Sequence, residues 1–225
     1  MNGIFPRNTR GHFSLAGYAG LFIALLVATA VQAQFNYVIN SGAVTITAYT
    51  GPGGVVAIPS TINGLPVTEI GAYAFYHRTD LTGITIPDTV MNIRDYAFWN
   101  CTGLTSVAIP NGVIWRYVFE KCSNLTSLSL GGSVTIVGYR AFHGCAGLTN
   151  VFIPNSVTGI GDEAFSSCFG LTGVTIGKSV STIGVAAFSV CSGLTNIVIP
   201  DSVDTIKDLA FANCTSLTSV TIAPG

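Results

Sequence analysis

Apolar positions from residue 65 onward recur with neither the 3.6-residue period of a helix nor the 2-residue period of a strand. Their period is 23. Phe75, Phe98, Phe119, Phe142, Phe165, Phe188 and Phe211 follow one another at intervals of 23, 21, 23, 23, 23 and 23 residues. Three residues after each Phe except the first stands a cysteine: Cys101, Cys122, Cys145, Cys168, Cys191 and Cys214. Six residues after each Phe stands a leucine, from Leu81 through Leu104, Leu125, Leu148, Leu171 and Leu194 to Leu217. One unit reads Leu148, Val151, Ile153, Val157, Ile160, Ala164, Phe165, Cys168, and then Leu171 opens the next. Self-similarity at such a period marks units that cannot bury their apolar side alone and do so by stacking.

Within the unit, Leu-Thr-x-Val-x-Ile alternates and is β-branched, which predicts a short strand. Pro87, Pro110, Pro154 and Pro200 are expected to end these strands, because proline has no N–H to give a ladder. Asp88, Asn111, Asn155 and Asp201 follow and suit turns. Gly161-Asp162-Glu163-Ala164-Phe165 suggests a short helical turn with acids at its start. The expected fold is a solenoid of about seven coils over residues 69–225. Short parallel strands line one face, spaced about 4.8 Å apart, and turns with short helical or 3-10 segments line the other. Residues 34–68 lack the repeat and alternate around Gly51-Pro52-Gly53-Gly54, as a β-rich N-terminal cap would. The columns of Phe98, Cys101 and Leu104, of Phe142, Cys145 and Leu148, of Phe165, Cys168 and Leu171, and of Phe188, Cys191 and Leu194 are assigned to the core.

The pattern Leu-x-x-Val-x-Ile-Pro-x-x-Val-x-x-Ile-x-x-x-Ala-Phe-x-x-Cys resembles the BspA-like leucine-rich repeat family over about residues 65–225. The resemblance implies a right-handed leucine-rich-repeat solenoid at a cell surface, acting in adhesion or protein binding, with no catalytic residues to carry over. Two departures stand out. The third coil is two residues short at Gly112-Val113-Ile114-Trp115, which should bulge the stack, and Gly131 and Gly177 replace the proline.

Export is expected from the N-terminus. Arg7 and Arg10 precede an uncharged, mostly apolar run from Leu15 to Val31, and Val31-Gln32-Ala33 offers small residues for cleavage after Ala33. The run is near the roughly 20 residues of a bilayer span, so an uncleaved anchor is the alternative to a signal peptide over residues 1–33. Either way the repeats lie outside the cytoplasm, secreted or at the cell surface, with no membrane insertion after cleavage. The other end stops directly after a strand, which suggests that the natural protein continues or that a partner covers the last coil.

Charged residues are only 8% of the chain and the net charge is −1. Loss of Arg7 and Arg10 leaves seven basic against ten acidic residues, a net of −3. With no basic stripe, nucleic acid is not an expected partner. No cofactor or metal is expected either, since neither a Cys-x-x-Cys pair nor a histidine accompanies the cysteines. The cysteines themselves read as buried thiols, with disulfides between stacked coils as the alternative, about 5 Å separating their Cα atoms. His77 and His143 lie in the loops after Phe and belong to no Ser-His-Asp arrangement. Trp115, Arg116 and Tyr117 form either an exposed aromatic and basic patch or the filling of a void in the short coil.

The strand face is the candidate binding surface. Thr126, Ser129, Asn150, Phe152, Thr172, Thr175, Asn196 and Val198 point outward on it, weakly charged and lightly apolar around Phe152 and Val198. Such a surface suits an extracellular protein or matrix ligand. Two other readings stay open: a structural or ice-contacting array built on the threonine rows, and the non-catalytic repeat region of a larger secreted enzyme. An enzyme active site is not expected within the chain.

Overall fold

The computed structural model describes residues 33–223, so the expected leader lies outside the described residues apart from Ala33. Sixteen strands follow in chain order: β1 Phe35–Asn40, β2 Ala43–Tyr49, β3 Gly54–Ala57, β4 Thr61–Ile62, β5 Leu65–Ile70, β6 Leu81–Thr85, β7 Asn92–Ile93, β8 Ser106–Ile114, β9 Ser127–Val137, β10 Asn150–Phe152, β11 Gly159–Ile160, β12 Gly173–Thr175, β13 Thr182–Ile183, β14 Asn196–Ile199, β15 Thr205–Ile206 and β16 Ser219–Ile222. They wind into a leucine-rich-repeat solenoid of about eight turns, parallel except for the β1–β2 and β4–β5 pairs.

Each coil contributes to two strand columns. One carries the predicted Leu-Thr-x-Val-x-Ile strands. The other, through β2, β5, β7, β11, β13 and β15, is built mostly from two-residue bridges such as Gly159–Ile160 on Thr182–Ile183. The residues expected as a cap supply strands to both columns, β2 pairing β5 and β3 pairing β6. Tyr49 stacks on Phe75 with ring centroids 5.3 Å apart, so the aromatic column begins before the first repeat.

The core is that column. Neighbouring Phe rings from Phe75 to Phe211 lie 4.7–5.6 Å apart and within 16° of parallel. All twelve assigned column residues are fully buried. All six cysteines are free and buried. Each thiol donates to the carbonyl of the Phe one coil earlier: Cys101 to Phe75 (3.1 Å), Cys122 to Phe98 (3.2 Å), Cys145 to Phe119 (3.2 Å) and so on to Cys214 on Phe188 (3.1 Å). The carbonyls beside the ladder therefore have a partner despite complete burial.

Three expectations change. First, Pro110 does not end its strand, whereas Pro87, Pro154 and Pro200 lie beyond theirs. β8 runs through Pro110 because the pairing with β9 skips it: Ile109 faces Leu130, Asn111 faces Ser133, and the irregularity falls between them. A missing N–H costs nothing where no ladder bond is required. One of the two residues absent from this coil is taken up here and the other at a second irregularity between Gly112 and Val113, and β8 and β9 each join both columns as one continuous strand. Gly131 follows, because a Cβ there would strike the Pro110 carbonyl, and Gly177 stands in the same relation to Pro154. Second, the turn side contains no helix among the described residues. Hydrogen bonds from residue i+3 back to residue i form, as from Ala164 to Gly161 and from Ser166 to Glu163, but Glu163 has φ 54°. That left-handed residue recurs in every coil (Tyr73, Tyr96, Tyr117, Arg140, Ala186, Leu209) and stops helical propagation. Third, the predicted strand face is split. β3, β6, β8 and β9 belong to a twelve-stranded sheet, β10, β12, β14 and β16 to a separate four-stranded one, and no strand pairing joins β9 to β10 among the described residues.

Candidate functional site

All eight proposed strand-face residues are exposed. The split divides them. Asn150, Phe152, Thr172, Thr175, Asn196 and Val198 belong with the four-stranded sheet, where Phe152 faces Thr175 and Thr175 faces Val198 in register. Thr126 and Ser129 lie beside β8 on the other sheet. Phe152 is 58% exposed and Val198 52%. Between β12 and β14 opens a shallow groove of about 320 Å³, bordered by Thr175, Lys178, Asn196, Val198 and Pro200.

The threonine rows have a structural job. The hydroxyls of Thr105, Thr126, Thr172 and Thr218 donate to the carbonyl of the threonine one coil earlier, at 3.0–3.1 Å. They continue the ladder where the backbone leaves the strand, which explains the residue type without a ligand. Asn196 Nδ2 donates to the hydroxyl of its exposed neighbour Thr195 (3.1 Å). Phe152 and Val198 are the members of the set that expose large apolar side chains.

Asp162 and Glu163, expected to cap a helix, bind across coils instead. Asp162 Oδ1 accepts from the Val185 N–H (2.8 Å) and from Lys207 (3.3 Å). Glu163 accepts from the Arg140 guanidinium (2.7 Å) and the Tyr139 hydroxyl (3.3 Å). His143 lies beside this pair, 3.8 Å from Glu163, with Nδ1 buried and unpartnered. Burial pushes its pKa down, against the upward pull of Glu120 and Glu163. His77 is exposed and meets Asn100 at 2.6 Å.

Sequence reasoning missed the aromatic turn edge. Tyr73, Tyr96 and Tyr117, each at the left-handed position two before Phe, stack at 5.1 and 4.4 Å. Tyr76 stacks on Trp99 at 4.9 Å, and Lys121 lies over Trp99. The spacing to Phe would have shown the Tyr column. Trp115 and Arg116 are both exposed, as the patch alternative required, and Tyr117 is half-buried in the stack.

Residues 68–116 and 112–225 match the BspA type leucine-rich repeat region in six copies. The chain is similar to a leucine-rich cell surface protein from Faecalibacterium prausnitzii, with 35% identity and a TM-score of 0.75 over 84% of this chain and 53% of that one. A leucine-rich repeat protein from Bacteroides ovatus shares 34% identity at a TM-score of 0.73, over 83% and 51%. The T. pallidum leucine-rich repeat protein shares 30% identity at 0.75, over 83% and 89%. The chain thus spans about half the length of the first two. No curated protein is significantly similar to it. On the matched repeats and these structures, the chain belongs to the BspA-type leucine-rich repeat family.

Proposed function

We propose that the chain is a secreted or cell-surface binding module that takes an extracellular protein partner on its four-stranded sheet. The observation that carries this reading is the exposed pair Phe152 and Val198, one coil either side of Thr175, on a surface with few charges. An apolar centre rimmed by Asn150, Thr172 and Asn196 is the composition a protein interface needs. The similar F. prausnitzii protein is a cell surface protein, and the leader pattern of residues 1–33 supports export.

The test is surface plasmon resonance of the chain against purified matrix and plasma proteins, repeated with Phe152→Ser and Val198→Ser. Either substitution should weaken a saturable interaction at least about tenfold, roughly 1.4 kcal/mol, without changing the thermal melt, since both side chains are exposed. An interaction indifferent to both variants, or none across the panel, overturns the assignment.

A further inference from the structure

The residues that follow the second strand column form a column of their own. Ile46 pairs with Ile70, Ile70 with Ile93 and Ile93 with Ile114, so the residues after them, Thr47, Gly71, Arg94 and Trp115, occupy successive rungs. The rung at Gly71 carries no side chain for a packing reason: a Cβ there would lie 2.8 Å from the Ile46 carbonyl oxygen. Thr47 and Arg94 therefore stand about 10 Å apart, at roughly 4.8 Å per coil, with one layer missing between them. A cavity of about 460 Å³ opens there, with Gly71 and Ala72 among the residues forming it. Small-molecule sites span about 300–1,000 Å³.

The charged side chains that line this cavity are held in place by the protein itself. The Arg94 guanidinium lies over the Trp115 ring, 5.0 Å from its centroid, and its Nη2 pairs with Glu69 Oε2 at 2.6 Å. The ring is held in turn through its indole N–H, which donates to Asn92 at 3.2 Å. Arg94 stands between Trp115 and the empty rung, so the ring face on that side is taken and the guanidinium closes that end of the cavity. Asp95 Oδ1 accepts the Arg116 N–H at 3.0 Å, which sets the second carboxylate. These bonds use one oxygen of each carboxylate and one nitrogen of the guanidinium. Glu69 Oε1, Asp95 Oδ2 and the Arg94 Nε–H and Nη1–H groups stay available, beside the hydroxyls of Thr45 and Thr47.

Fixed donors and acceptors thus meet around a space one layer deep. A pyranose ring carries both kinds of partner along its rim. Its hydroxyls donate to carboxylate oxygens, and its oxygens accept from a guanidinium; hydrogen bonds with one ionised partner are the stronger kind. An aromatic ring meets only the guanidinium and leaves the carboxylate oxygens shielded from water and unpaired, which is costly. A phosphate or carboxylate meets two carboxylates against one guanidinium that is already paired with one of them. We propose that this cavity binds one uncharged pyranose ring, the end of a glycan, with Glu69, Arg94 and Asp95 pairing its hydroxyls. The site is separate from the Phe152 surface and does not depend on it.

The experiment is a nuclear magnetic resonance titration of the nitrogen-labelled full chain with the methyl glycosides of glucose, galactose, mannose and N-acetylglucosamine at millimolar concentration. Glucuronate and N-acetyltyrosinamide serve as the anionic and aromatic arms. The chain has two tryptophans, so Trp115→Phe assigns both indole signals. At least one glycoside should shift the Trp115 signal saturably and leave that of Trp99, on the turn edge, where it is. Ala72→Leu fills the cavity from an exposed position, and Asp95→Asn exchanges an acceptor for a donor. Each should weaken binding at least about tenfold, Ala72→Leu with an unchanged melting temperature. Silence of the Trp115 signal toward all four glycosides, or binding that survives both variants, overturns the proposal. So does tighter binding of glucuronate or of N-acetyltyrosinamide than of every glycoside.

Discussion

Phe142 is fully buried and stacked on both sides, 5.4 Å from Phe119 and 5.2 Å from Phe165. Replacing it with alanine removes a complete ring from the middle of the column. A buried Phe→Ala costs about 3–5 kcal/mol, depending on how far the surroundings collapse. Collapse is limited here, because the distance between Phe119 and Phe165 is set by the backbone ladders of three coils. Two ring contacts worth about 0.5–1.5 kcal/mol each are lost as well, which places the cost near the upper end, about 4–5 kcal/mol. Phe211 offers the internal comparison. It has one ring neighbour, Phe188 at 5.6 Å, and is only partly buried. Phe211→Ala should cost roughly half as much, about 2 kcal/mol. Urea unfolding followed by circular dichroism gives both values, and comparison of m-values shows whether the end coil frays separately. Equal costs for the two variants would refute the claim that stacking on both sides sets the energetics of the column.

Two further outcomes follow from buried groups. Burial pushes the Cys145 and Cys168 thiols up, Cys168 to about 12, so they should resist a thiol reagent in the native chain, and six thiols should react after denaturation; fewer than six would mean disulfides. His143, held below its ordinary 6.5 by burial, takes up a proton more readily when unfolded, so stability is complete above about pH 6.5 and declines as pH falls from there toward the folded-state value. His143→Asn should flatten that part of a melting-temperature profile, and a variant that loses as much stability as the parent between about pH 6.5 and 5 would rule the assignment out. The Asp80 carboxylate, held low by Arg78, acts only at lower pH and does not obscure this window.

The core was legible because its signal is periodic. Phe, Cys and Leu each recur at a fixed offset, and an offset in sequence becomes a column in space whenever coils stack. What escaped depended on pairing rather than composition. Pro110 and Pro154 look alike in sequence, yet only one lies in a strand, because the bulge opposite Leu130 and Ser133 removes the demand for its amide. Ser129 and Phe152 occupy the same repeat position, yet the sheet divides between their strands. Gly159–Ile160 and its counterparts are two-residue bridges, too short for alternation to reveal, so the second column could not be read. The left-handed turn residue was equally hidden, since the chain fills it with Tyr, Arg, Glu, Ala and Leu rather than with the Gly or Asn that would announce it.

The short coil also shows what this architecture leaves free to vary. Its thiol bond spans 24 residues where others span 26, yet the distances agree, 3.2 Å for Cys122 to Phe98 and 3.1–3.3 Å elsewhere. Perimeter and register are separate properties: the stretch that links the two strand columns absorbs a change in length, and the columns do not move. Insertions or deletions in that stretch can reshape the rim of the molecule, or display a foreign loop on it, while the interior keeps its order. In the arms of the coil bounded by Phe and Cys, the same change would shift every column beyond it.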